Sequence, residues 1–353
     1  MIDPLAQFEV LFDVRGHSGV IKLSRPQALN ALTHGMIQAI RTQMDAWEAD
    51  PAIVQIVFRS LHPKAFCAGG DIRAVYEMGK AGDETVTSFF ADEYRLNTRI
   101  KHYPKPIVSL IDGILMGGGV GLTIHGDYRL GGAKTLFAMP EVGIGFFPDV
   151  GASYALPRLR SKALGLYCAL TGGRLKQADA LWAGVLTHCA DAGQFDEILK
   201  TLAEEDVKTV VERFAAPAEG EAALAPHADA IESCFSADSV EAVLAALDAV
   251  SGVDEEWARA TAAEIRTRSP MSLKVAFKEV QEGAAREFDD CMVMEFRILS
   301  EILKGNDFYE GVWAVLVDKD NAPNWTPSRL EDVESLAIER HFMQPQEGDL
   351  VLS

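Results

Sequence analysis

The stretch GILMGGGVGL, Gly113 to Leu122, sets three consecutive glycines at the start of a helical pattern, directly after the strand-like PIVSLID (106–112). A glycine inside a helix costs roughly 1 kcal/mol relative to alanine. Bare backbone must therefore be required here. A strand running through a glycine turn into a helix leaves N–H groups free at the helix N-terminus. They suit a phosphate, or a carbonyl oxygen that gains charge during a reaction. GGGVG matches neither GxGxxG nor GxxxxGKS/T, and no lysine follows within reach, so the phosphate patterns fail. Tight helix–strand packing explains the glycines equally well on this stretch alone. The arrangement recurs, however: PKAFCAGGDI (63–72) follows the strand-like IVQIVFRS (53–60) and opens another helix. Two such loops, each offering one backbone N–H, can converge on one oxygen as an oxyanion hole.

The surrounding sequence fits an α/β chain. FEVLFDV (8–14) and VIKLS (20–24) flank a glycine turn and predict a hairpin. Apolar residues at helical spacing (Met36, Ile37, Ile40, Met44 and Trp47) predict a helix over 34–48. YRLGGA (128–133) and TLFAMP (135–140) are weaker strands. Strand–strand–helix units therefore repeat through residues 1–200, whereas beyond about Ala190 strand signals fade and helical patterns dominate, strongest over 230–305. The expected division is a core over 1–200 and a mainly helical region over 201–353, with AAPAEGEAALAPHA (215–228) as linker or insertion.

Composition narrows the function classes. A net charge of −19 argues against a nucleic-acid or anionic-membrane partner. It leaves room for an anionic small ligand, which needs only a local basic patch or backbone donors. The acidity after residue 200, as in AEEDVKTVVERF, predicts solvated helix faces. No apolar run reaches the roughly 18–20 residues of a membrane span. The start, MIDPLAQFEV, carries no signal-peptide or transit-peptide pattern. Five scattered cysteines without CxxC spacing predict free thiols in a reducing compartment, and a cytoplasmic location is the expectation. No metal-ligand constellation stands out.

Two acids carry candidate chemistry. In FAMPEVGIGFFPDVGASYALPRL, Glu141 and Asp149 each follow or closely follow a proline in apolar, glycine-rich surroundings, which raise a carboxylate's pKa. PDVGASY also predicts a helix start, which would make Asp149 an N-cap. Cys67 and His125 are expected to be packing residues.

Taken together, RPQALNAL, KAFCAGGDIR, GILMGGGVGLTIHGDYR and MPEVGIGFFPDVGASYALPRL resemble the crotonase (enoyl-CoA hydratase/isomerase) superfamily, and the resemblance covers nearly the whole chain. It implies a spiral of repeated β-β-α turns with a helical C-terminal region. It also implies an acyl-CoA substrate whose thioester oxygen is held by the N–H groups of Gly70 and Gly118, helped by the positive end of the following helix. Glu141 falls on the family's catalytic carboxylate. Hydratases carry a second glutamate where this chain has Gly121. The closest resemblance is instead to members that hydrolyse the thioester of a short, branched 3-hydroxyacyl-CoA, with Asp149 and Glu93 (in FFADEYRLN) as further acids. Glu93 reads alternatively as an exposed residue of an amphipathic helix. The resemblance assigns Ala68, Asp71 and Arg25 to the coenzyme A portion of the substrate, with anchoring of its own loop as the alternative for Asp71 and a surface role, in place of the nucleotide phosphates, for Arg25; no cofactor is expected. A homo-oligomer is a further expectation. An enoyl-CoA hydratase or isomerase, and a non-catalytic acyl-CoA-binding protein, are the alternative functions.

Overall fold

In the computed structural model, residues 9–83 and 85–352 are described; Phe8, first residue of the expected hairpin, lies outside them with the rest of the 1–8 segment. The chain runs through β1 (Val10–Arg15), β2 (Ser18–Leu23), α1 (His34–Ala49), β3 (Gln55–Ser60) and β4 (Ala65–Cys67). Next come α2 (Ile72–Lys80), α3 (Val86–Lys101), β5 (Ile107–Ile111), β6 (Ile114–Met116) and α4 (Gly118–Gly121). There follow β7 (Tyr128–Gly131), β8 (Leu136–Ala138), α5 (Ala152–Ala155), α6 (Lys162–Thr171), β9 (Leu175–Lys176) and β10 (His188–Cys189). Among the described residues, the regular elements after β10 are all helical.

The expected β-β-α spiral is what these elements build. β3, β5 and β7 lie in a six-stranded sheet of order β1-β2-β3-β5-β7-β10. The strand that follows each of them, β4, β6 or β8, enters a second sheet of order β4-β6-β8-β9. Each turn of the spiral thus places one strand in either sheet before a helix or helical turn closes it. Parallel pairing runs from β2 through β10 in the first sheet, with only the β1–β2 hairpin antiparallel. β5 (IVSLI) is buried at every position, the pattern of a parallel strand covered on both faces.

By internal packing the chain falls into two compact units. One comprises the chain through Asp71, Arg95–Ala138 and Arg174–Ala223, and holds both sheets. The other comprises Ile72–Tyr94, Met139–Gly173 and Leu224–Ser353, and is helical. This grouping departs from the division at residue 200 expected from the sequence. Loss of strand signal marks where elements change type, whereas packing draws 72–94 and 139–173 to the later helices. The boundary at 223/224 does fall inside the expected linker.

In the sheet unit, registered neighbours Val20, Val57 and Val108 share one face with Leu110 and Leu130. Over them pack Ile198, Leu199 and Leu202 of the helix Phe195–Leu202, and Val207, Val210 and Val211 of the helix Val207–Phe214. Each such side chain contributes about 1.5–3 kcal/mol by leaving water. Glu212 stays exposed, as the reading of solvated acidic faces required. α1 buries the five residues its spacing predicted, and Thr33 caps it by accepting the Met36 N–H.

The helical unit is centred on aromatic rings. Phe146 lies 5.6 Å from Phe90, 4.8 Å from Phe147 and 5.4 Å from Phe308, centroid to centroid. All five cysteines are free and buried. Among the described residues, no helix is long and apolar enough to cross a membrane.

Replacing Phe146 by Ala should lower the unfolding free energy by about 3–5 kcal/mol, because the ring leaves a cavity among other aromatics. Val14→Ala, at a position 52% exposed, should change it by no more than ~0.5 kcal/mol. Urea denaturation of both variants makes the comparison; equal shifts would show that the ring cluster is not the unit's core.

Candidate active site

The two glycine loops belong to the sheet unit and lie side by side. β4 leads into Ala68–Asp71, which is pinned on either side of Gly70. The Leu32 N–H donates to the Gly69 carbonyl at 2.8 Å, and the Asp71 N–H donates to the Leu32 carbonyl at 2.9 Å. Gly70's own N–H takes no part in that bridge. The side chain of Asn30 supports the loop from below. Its amide donates to Phe66 O at 2.9 Å and to Ser60 Oγ at 2.8 Å, while its oxygen accepts the Arg25 N–H at 2.8 Å. Asn30 sits at φ 58°, a left-handed conformation that asparagine tolerates. RPQALNAL was legible as a motif, but this role of its asparagine was not.

β6 leads into Gly117, at φ 45° and ψ −124°, and then into α4. As the first residue of α4, Gly118 has no intrahelical acceptor for its N–H. A methyl group on Gly119 would lie 2.6 Å from the Cys67 carbonyl oxygen, so packing alone demands glycine there. A methyl group on Gly69 would lie 3.8 Å from the Gly118 nitrogen. The packing reading of the triplet therefore holds at Gly119, and Gly118 starts its helical turn beside the other loop. α4 has only four residues, so its contribution as a helix end is small.

Arg25 and Asp71 are tied into the fold, with Asp71 anchoring its loop. They pair with each other, Arg25 Nη2 to Asp71 Oδ2 at 2.7 Å, and Arg25 Nη1 also donates to the Ala31 carbonyl at 2.9 Å. The pair braces the segment that carries the Gly70 loop. Cys67 is fully buried and directs its thiol to the Asn30 carbonyl at 3.0 Å, as a packing residue does.

The acids gather in the helical unit. Glu141 opens a single helical turn (Glu141–Ile144) after Pro140 and is 7% exposed. Its Oε2 has no hydrogen-bond partner among the described residues. Burial, then the nearby Asp149 and Glu93, hold its pKa well above the usual carboxylate range. Asp149 accepts the Tyr94 hydroxyl at 3.0 Å. Burial pushes it up to about 7 against that bond. It is no N-cap, since α5 is capped by another residue's carboxylate. Glu93 is buried, not exposed, and its Oε1 also lacks a partner among the described residues. Burial and the charge of Asp149 raise its pKa strongly.

Two further acids were missed by the sequence reading. Glu279 and Glu295 are both fully buried on the helices Pro270–Gly283 and Phe288–Ile302. Each occupies the apolar stripe of its helix, Glu279 beside Ala276, Val280 and Gly283, Glu295 beside Cys291, Met292 and Ile298. An acid on an apolar stripe was the available signal. Glu279 has no partner for either oxygen among the described residues. Burial, then Glu295, Asp149 and Glu141, raise its pKa well above the ordinary value. Among the described residues, no group of His, Cys, Asp and Glu is arranged to hold a metal ion.

A family model described as enoyl-CoA hydratase/isomerase matches residues 18–342. The chain belongs to that family. Among its relatives is the protein named 3-hydroxyisobutyryl-CoA hydrolase, mitochondrial, of Xenopus tropicalis, 44% identical over 98% of this chain and 91% of that protein. The Homo sapiens protein of the same name is 41% identical over 97% of this chain and 90% of its own. Of solved structures in this fold, a carnitinyl-CoA dehydratase from Mycobacterium thermoresistibile superposes with a TM-score of 0.91 at 37% identity, covering 98% of both chains. An enoyl-CoA hydratase from Rhodobacter sphaeroides 2.4.1 gives 0.88 at 32% identity, over 98% of this chain and 100% of that one. The cytoplasmic location expected from the sequence is corrected by the hydrolase relatives, which are named as mitochondrial enzymes.

Acids whose pKa is raised in the folded state keep protons that the unfolded chain has lost. Stability is then greatest below the unfolded pKa and falls as pH rises toward the folded one, by up to about 1.4 kcal/mol per pH unit for each group. Glu279→Gln removes one such group from this family member. Its unfolding free energy should fall less steeply than the parent's above pH ~5, by up to that amount per unit. Urea denaturation across pH 5–8 measures it; parallel curves would mean that Glu279 is already ionised in the fold.

Proposed function

We propose that the chain hydrolyses the thioester of 3-hydroxyisobutyryl-CoA, a short, branched 3-hydroxyacyl-CoA, to the free hydroxy acid and coenzyme A, as a step of valine catabolism. The observation that carries this reading is the buried pair Glu141 and Asp149 in a family member with glycine at position 121. Addition of water across a C=C bond uses two acid–base groups on one water, and Gly121 removes the usual second one. The substrate name comes from relatives 41–44% identical across nearly the full chain.

In this reading the thioester oxygen accepts the N–H groups of Gly70 and Gly118, which stabilise the charge it gains; losing one such donor costs other acyl-transfer enzymes about 10²–10³ in rate. Glu141 acts in its ionised form. It either takes a proton from a water that attacks the carbonyl carbon, or attacks that carbon itself to form a mixed anhydride that water then opens. In both routes the C–S bond breaks, and coenzyme A leaves as a thiolate that gains a proton. A thiolate leaves readily, so little acid assistance is needed. Tyr94 engages one oxygen of Asp149, and the other is assigned to the substrate's 3-hydroxyl. Ala68 is assigned to the coenzyme A portion; Arg25 and Asp71 act there through the loop they brace. Glu93 is assigned to the acyl pocket. The chemistry calls on the chain's own residues and water.

A second reading, hydration of an enoyl-CoA, is favoured by the dehydratase and hydratase names of the two solved relatives. An assay of 3-hydroxyisobutyryl-CoA and crotonyl-CoA side by side, following free thiol and enoyl absorbance, separates the two. Strong hydration without thiol release would overturn the hydrolase reading.

Glu141→Gln should abolish thiol release while acyl-CoA binding stays within a few-fold; near-normal turnover by the folded variant would remove Glu141 from the chemistry. Asp149→Asn should lower kcat/KM for 3-hydroxyisobutyryl-CoA about 10–100-fold more than for isobutyryl-CoA, the scale of one hydrogen bond to a charged group. Equal losses on both substrates would assign Asp149 to the chemistry or the fold instead.

A further inference from the structure

The turn that follows Asp149 is held by a side chain more than 140 residues away. Val150 has φ 58° and Gly151 φ 85°, so two successive residues are left-handed. Glycine adopts this conformation freely, but a β-branched valine rarely does. The turn leads into α5, whose first N–H groups have no acceptor within the helix. Glu295 supplies that acceptor. Its Oε2 accepts the Gly151 N–H at 2.8 Å, and its Oε1 accepts the Ser153 N–H at 3.0 Å and the Ser153 hydroxyl at 2.5 Å. The Pro270–Gly283 helix confines the same segment from another direction. A methyl group on Gly283 would lie 2.0 Å from the Ser153 carbonyl oxygen.

We infer that Glu295 is a positioning residue for Asp149: it pins the left-handed Val150–Gly151 turn through three hydrogen bonds, and so fixes the direction in which the Asp149 carboxyl points. Two backbone N–H groups and a hydroxyl converge on the two oxygens of Glu295, and these bonds oppose the burial that pushes its carboxyl up to about 8. A glutamine offers one oxygen and would turn its own N–H bonds toward a backbone N–H. A fully buried acid near Asp149 is otherwise a costly choice for a helix stripe, where an apolar side chain of similar size would serve packing as well. The inference rests on the role proposed for Asp149 in meeting the substrate's 3-hydroxyl.

The test combines Glu295→Gln with Asp149→Asn in a double-mutant cycle. Glu295→Gln should lower kcat/KM for 3-hydroxyisobutyryl-CoA about 10–100-fold and for isobutyryl-CoA less than about threefold. The double variant should be no worse than Asp149→Asn alone, within about twofold. Ser153→Ala removes only the hydroxyl bond and should show the same substrate selectivity with a smaller loss, about 2–10-fold; it carries the test if Glu295→Gln does not fold. Equal losses on the two substrates, or multiplicative losses in the double variant, overturn the inference. Hydrogen exchange gives a readout independent of catalysis: the amides of 150–153 should exchange at least about tenfold faster in Glu295→Gln. Unchanged exchange overturns the clamp even where the hydrolase reading stands. If the parent chain hydrolyses neither substrate while exchange accelerates, the hydrolase reading fails and the clamp remains.

Discussion

Carboxylates buried together cannot all be charged. Glu93, Glu141, Asp149, Glu279 and Glu295 all lie in the helical unit with little or no contact with water. Removing a carboxylate from solvent costs several kcal/mol unless something compensates, and here each acid's neighbours include other acids. The unit settles the conflict by giving each group a different environment. Glu295 has three donors and Asp149 has a tyrosine hydroxyl, whereas Glu279 has no partner for either oxygen among the described residues. Glu141 stands between these cases, buried with one unpartnered oxygen and a pKa raised chiefly by desolvation. A carboxyl so placed holds its proton more tightly than an exposed one does.

The sheet unit meets a different constraint, which is proximity of backbone to backbone. Alternating strands between two sheets brings the ends of β4 and β6 together, and each then turns through glycine. Parallel pairing of β4 with β6 holds these ends at fixed spacing. Asn30 and the Arg25–Asp71 pair hold the first loop from outside the sheets. The oxyanion hole proposed at Gly70 and Gly118 calls for such bracing, because donors that must rearrange during reaction lose much of their benefit.

The spiral was legible because strand runs such as IVQIVFRS and PIVSLID are long and β-branched, and because glycine loops recur after them. Glu141 and Asp149 were legible through their apolar, proline-bounded setting. The short strands β4 and β6 were harder, since three residues carry no periodicity and read as parts of the glycine loops. Glu93, Glu279 and Glu295 show the limit more clearly. Burial of an acid depends on which helix covers it, and that partner lies far along the chain, as Glu295 and Gly151 illustrate. Arg25 shows the same limit: its pairing with Asp71, 46 residues on, is not visible in the sequence.

The five buried cysteines, all outside disulfides, give the molecule a built-in set of reporters. Cys67 and Cys189 belong to the sheet unit, and Cys168, Cys234 and Cys291 to the helical one. A buried thiol reacts with an alkylating reagent only while its surroundings are open, so its modification rate counts local openings. Burial also raises the pKa of Cys168 and Cys291 to about 12, which keeps them inert while closed. Residue-resolved labelling would therefore read the breathing of each unit separately, without any engineered probe.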